Sequence, residues 1–166
     1  HTVVGLAGQF NSDHDQDQLE HSDPIQPELR AIDAYNAKER LVTWVRHFGV
    51  TTIHTGHAPG EIISGQTLIT KTVGNTAEES LMVAPAAVTA TLAESALKKG
   101  EKKKSPGTRS KMMAMLRERF IETREYLDKI EKYTDNEEES DKKPSRDLKL
   151  EILGKVLNRE IPIIIT

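Results

Sequence analysis

A chain of 166 residues is long enough to bury one core and suggests a single domain. Charged residues make up 30% of it, yet the net charge is only -3, which argues against a dedicated nucleic-acid surface, and 4% aromatic residues leave little to stack bases on. With no Cys there is no disulfide framework and no thiolate metal site, so any metal must be held by His and carboxylates. The absence of Cys fits either redox compartment. No apolar run approaches the roughly 18 residues of a membrane span, and no signal peptide is visible. The chain starts at His1 and stops inside an apolar run, and so reads as a fragment of a longer protein.

Residues 1–10, HTVVGLAGQF, look like the end of a strand entering a Gly-punctuated loop. Residues 11–23 are polar, with HDQDQ at 14–18, and read as a solvated loop. Pro24 and Pro27 bracket an extended entry, because a residue before Pro is pushed out of the α region. Residues 28–35 suit a short turn of helix. The pattern at 38–48 predicts a better helix: Leu41, Val42, Val45 and Phe48 recur at three- and four-residue steps, with Trp44 beside them. Gly49 stops it.

The stretch that follows organises the rest. Residues 50–55, VTTIHT, are β-branched almost throughout, which suits a pleated, buried strand. A loop of His, Gly and Pro comes next, and a second β-rich run occupies 66–73 before a turn at Gly74 and Asn75. Helix, turn, strand and loop is the grammar of a parallel sheet. Such sheets place their chemistry on loops leaving the carboxyl ends of strands. The segment holding His54, His57, Ser64 and Gln66 is expected to be such a loop.

Residues 86–93, AAVTATLA, fit a strand, although their alanines also fit a helix. KKGEKKK at 98–104 reads as a solvated cationic loop. From SPGTRS at 105–110, with Thr108 or Ser110 as the cap, the chain enters its clearest helix, with Met113, Leu116, Phe120, Leu127 and Ile130 on one face. The methionines are core filler. Residues 135–143 form a charged linker closed by Pro144. Another amphipathic helix, 148–157, packs Leu150, Leu153 and Leu157 together. The last run, 160–166, is a strand whose IPIIIT predicts cover on both faces. No internal repeat is apparent. Strands alternating with helices predict an α/β fold with parallel strands, of which three or four are visible. A complete (β/α)₈ barrel takes about 250 residues, so this chain fits a partial TIM-like barrel, truncated at both ends.

Four segments, in order, resemble the imidazolonepropionase-like amidohydrolases. GVTTIHTGHAPGEIISGQTLITKT at 49–72 is similar to that family's GVTTV, Pro/Gly-rich turn, GGQ and strand ending in VKT. QPELRAIDAYN at 26–36 resembles its P-x-x-R-A-x-D-A-x-N, and SPGTRSKMMAMLRERF at 105–120 its P-x-T-R segment ending in Leu-Arg. Residues 160–166 resemble its E-I-P-hydrophobic strand, which in the family leads into a metal-binding His. The resemblance implies a metal-dependent hydrolase of C–N bonds in amides, cyclic amides or amidines, acting on a small molecule. It also implies a divalent metal, zinc first, which lowers the pKa of its bound water toward ~7. His1 matches the first His of the family's H-x-H, and Val3 stands where the second would be. Glu94 matches the Glu of its G-E-N-P turn, without the G, N and P. The resemblance therefore implies His1 and Glu94 as metal residues. The remaining ligands and the acid/base Asp are expected beyond Thr166, which would leave the fragment alone inactive.

For substrate binding the candidates are His54, His57 and Arg109. His54 could equally be a strand histidine of the barrel wall, and Arg109 could instead pair with a carboxylate neighbour or hold a substrate carboxylate through its planar fork. Gln66 and Lys71 read as structural, and His14, His21 and His47 as surface or loop residues. A second reading keeps the scaffold without catalysis, as a non-catalytic α/β module that binds a small molecule. Both readings need His1, His54, His57 and Glu94 to meet on one rim of the sheet. Nucleic acid and membrane are not expected partners. A second copy of the chain is, because an open half-barrel leaves strand edges and an apolar face uncovered.

Overall fold

The computed structural model describes residues 1–8, 13–98, 105–135 and 144–166. Its strands are β1 (Thr52–Gly56), β2 (Ile63–Lys71), β3 (Leu81–Val83), β4 (Val88–Ala90) and β5 (Ile163–Ile165). Its helices are α1 (Ala31–Ala34), α2 (Arg40–His47), α3 (Ala77–Ser80), α4 (Arg109–Asp135) and α5 (Leu148–Leu157). The strands form one sheet in the order β1-β2-β4-β5, with β3 added to β2. Residues 9–12, 99–104 of the cationic loop and 136–143 of the charged linker lie outside the described residues.

The expectation of purely parallel strands is corrected. β1 and β2 form an antiparallel hairpin, with Thr52 opposite Lys71 and Gly56 opposite Thr67. β2 also runs antiparallel to β3 and to β4, while β4 and β5 are parallel. The physical reason is the link at 57–62, which is far shorter than the dozen or more residues that a parallel crossover takes. β2 consequently starts at Ile63, and Ser64 and Gln66 belong to it rather than to a loop. Two antiparallel steps cancel, so β1 and β4 share a direction. Thr2 bridges Thr55 in parallel as well. The carboxyl ends of β1, β4, β5 and the segment at Thr2 therefore still face one rim.

The apolar side chains lie on the helix side of the sheet in two clusters. Ile53 and Leu68 pack with Leu6, Ala31, Tyr35 and Val42 under α1 and α2. Ile63, Val88 and Ala90 pack with Ile25, Met112 and Leu153 under α4 and α5. Full burial of a side chain such as Leu153 contributes about 1.5–3 kcal/mol. The core face of α4 is the expected one except at its start: Leu116 and Phe120 pack against the second cluster and Leu127 against Gly154 of α5, whereas Met112 is buried in place of Met113, which is 41% exposed. Thr123 also sits on that inner face, its hydroxyl donating to the Arg119 carbonyl at 2.8 Å. Trp44 and Phe48 are not core residues. They stack edge to face in the open, with centroids 4.9 Å apart. β5 is corrected too, since its residues are half-buried or exposed rather than covered on both faces.

Among the described residues, three side chains cap helices. The Thr108 hydroxyl accepts from Lys111 N at 3.2 Å, which decides the cap of α4 against Ser110. Thr76 accepts from Glu79 N at the start of α3. Asp147 accepts from Lys149 N and Leu150 N at the start of α5.

Candidate functional site

Strand alternation gives the sheet two chemically different faces. Opposite the apolar clusters, the register brings His54 and Thr67 of the hairpin onto the same face as Thr89 of β4, with Thr91 and Thr166 just past the strand ends. Thr67, Thr89 and Thr91 are buried. Their hydroxyls are satisfied: Thr67 donates to the Ala87 carbonyl at 3.3 Å and Thr89 to the Gly65 carbonyl at 3.2 Å. Thr91 accepts from Gly60 N at 3.2 Å and meets the Thr166 hydroxyl at 3.4 Å. This threonine-rich face was not anticipated from sequence. The alternation that puts Thr89 and Thr91 of VTAT at 88–91 on one side is the signal that could have shown it.

At the rim, Thr2 N donates to the His54 carbonyl at 2.9 Å and Gly56 N to the Thr2 carbonyl at 3.1 Å, which sets His1 beside His54. Their rings have centroids 6.0 Å apart, tilted by 52°. Nε2 of His1 donates to the His57 carbonyl at 3.0 Å. Nε2 of His54 lies 2.7 Å from the Thr67 hydroxyl. Burial holds the His54 imidazole below its ordinary pKa, so it is neutral near pH 7.

His57 reaches this rim through its backbone. Its ring is buried, and neither ring nitrogen has a hydrogen-bond partner among the described residues. The ring fills the space over Gly65, where a Cβ would collide with it and would come within 2.8 Å of the Leu29 carbonyl. Gly65 has φ +139°, a conformation that favours glycine in its own right. Burial pushes the His57 pKa down as well. Glu94 is exposed and opens the 3₁₀ turn Glu94–Ala96, shortly after β4. Arg109 is exposed at the first residue of α4. Gln66 and Lys71 are structural as expected: Gln66 Nε2 donates to the Pro27 carbonyl at 2.9 Å and Lys71 Nζ to the Thr52 hydroxyl at 2.9 Å.

Sequence reasoning missed Glu61. Its carboxylate is fully buried and holds Lys98 and His21 on the same oxygen, the His21 bond being 2.8 Å. This clip joins the loop before β2, the segment after β4 and the early loop at 21. His21 is thus a partner of a buried acid as well as a loop residue.

A divalent transition metal would find suitable donors in the imidazoles of His1 and His54, which amount to two of the three or four ligands such an ion needs. Among the described residues no three His, Asp or Glu side chains gather as a metal site. A cleft of about 380 Å³ between α4 and α5, around Tyr126, Leu127, Ile130 and Gly154, includes no rim residue.

The architecture is that of a known hydrolase scaffold. A solved amidohydrolase from Thermotoga maritima superposes with a TM-score of 0.89 over 99% of this chain, at 25% sequence identity. The chain has this amidohydrolase-type fold, a partial barrel, and spans 43% of that protein's length. No family model and no curated protein matches the sequence.

Proposed function

We propose that the chain forms the first strands and helices of a metal-dependent, imidazolonepropionase-like hydrolase barrel that cleaves C–N bonds in amides, cyclic amides or amidines. The observation that carries this reading is the superposition on the Thermotoga maritima amidohydrolase along essentially the whole chain. The paired histidines at the carboxyl rim support it. Residues 1–166 would be one part of the barrel domain, inactive alone, with a small-molecule substrate. His1 would contribute to a divalent metal, zinc by donor type, and Glu94 would join it from the segment after β4. When bound, such an ion supplies an activated water and polarises the bond under attack. The chain's own residues orient and desolvate: the His57 carbonyl fixes the His1 ring, and the threonine-lined face offers hydroxyls with no charge to compete for the ion.

A second reading is a non-catalytic small-molecule-binding module on the same scaffold. Val3 in place of a second His and the absence of a three-donor cluster among the described residues favour it. The two separate in the protein expressed from its complete reading frame. Metal analysis is paired with a screen of amides, lactams and amidines for hydrolysis that a chelator stops. Turnover with bound metal supports the hydrolase. Metal-free protein that binds such compounds without cleaving them supports the module.

A further inference from the structure

We propose that His54 is a metal ligand, paired with His1 across neighbouring strands, in the role that Val3 cannot fill. The proposal rests on the hydrolase reading above and names a residue of its metal site.

Backbone register is the first ground. Thr2 and Thr55 are bridged in parallel, so His1 and His54 stand directly across from each other on the same face. A strand's side chains alternate, so Val3 shares that face but presents only methyl groups. A donor lost two residues along one strand is thereby matched by a donor on the next strand, one strand spacing away. Two imidazoles on one tetrahedral ion have ring centres about 5 Å apart, given metal–nitrogen bonds of ~2.0–2.1 Å. The observed 6.0 Å is within the reach of small side-chain rotations.

Tautomer is the second ground. A carbonyl oxygen only accepts, so the contact with the His57 carbonyl places the proton of His1 on Nε2. The Thr67 hydroxyl holds Nε2 of His54 at 2.7 Å and can pass its own proton to the Ala87 carbonyl at 3.3 Å, which lets His54 donate from Nε2 when Nδ1 is taken by a metal. Each ring is thus held at Nε2 by an outer partner, with Nδ1 as the nitrogen left for a metal. An outer partner that takes the second N–H, fixes the tautomer and locks the ring is the usual support of a metal-binding histidine. A strand histidine with a purely structural role would need the Thr67 bond but not a second imidazole, held through the same ring nitrogen, across from it.

The test uses Co²⁺ as an optical probe on protein from the complete reading frame, with binding followed by absorbance and the fold checked by far-ultraviolet circular dichroism. Four proteins are compared: wild type, His54→Ala, His54→Ala with Val3→His, and His47→Ala, whose histidine is exposed on α2. His54→Ala is expected to weaken Co²⁺ at least tenfold, Val3→His to restore much of the loss, and His47→Ala to change nothing. Wild-type binding that His54→Ala leaves within twofold would overturn the role of His54 while the hydrolase reading stands. A folded wild type that takes up no Co²⁺, and carries no metal as purified, would overturn both.

Discussion

At the scale of single residues, buried ionisable groups decide more of this protein than its surface charges do. Glu39 precedes α2 and is 6% exposed, and its carboxylate oxygens lack hydrogen-bond partners among the described residues. Burial pushes its pKa up, Asp15 adds to the rise, and the nearby amides of Gly5 and Gly8 oppose it. A carboxyl whose folded pKa exceeds its unfolded value favours the fold fully below the unfolded pKa, and that contribution is lost as pH rises through the folded value. Glu39→Gln is therefore expected to raise the melting temperature by about 2–4 °C at pH 7 and to change little near pH 4. Thermal scans of both proteins across that range check it. An unchanged difference at every pH would rule out the titration of Glu39 as the cause. His54 and His57 work in the opposite sense, since their lowered pKa values cost stability as pH falls below the ordinary histidine range.

At the scale of elements, period and composition located most helices and strands, while their ends and faces were settled by contacts. Residues 38–48 contain α2 and 148–157 coincide with α5, because apolar spacing and punctuation agree there. Residues 66–73 lost three residues at the start of β2, because IIS at 62–64 has no alternation to read and its burial comes from β4 and the helices. On α4, Leu116 and Phe120 pack inward as expected, whereas Met112 takes the place expected of Met113, because the two are chemically equivalent and only α5 and the sheet distinguish them. Its cap was open between two hydroxyls for a similar reason. Thr108→Ala is expected to cost about 1 kcal/mol and Ser110→Ala much less. Urea unfolding of the two variants measures the difference, and equal losses would contradict the assigned cap.

Taken whole, the molecule leaves apolar surface and a strand edge open. β5 ends the strand order and pairs with β4 among the described strands, and Ile165 is 57% exposed. Trp44 and Phe48 add a stacked aromatic patch on α2 and its C-cap. Open edges and apolar patches recruit further chains. The 166-residue chain is therefore expected to associate as its concentration rises, which sedimentation velocity would follow. A single monomeric species with one cooperative unfolding transition at all concentrations would refute this.

The sequence by itself determined the class of fold and the order of its main helices and strands, because local periodicity and Gly and Pro punctuation act over a few residues. Tertiary structure alone decided that the central hairpin is antiparallel, that His57 points its ring into the interior and offers its carbonyl instead, and that Glu61 clips three segments together. Those outcomes depend on which strands become neighbours and in what register. That choice is made by burial and hydrogen bonding between residues far apart in the chain, and no local pattern contains it.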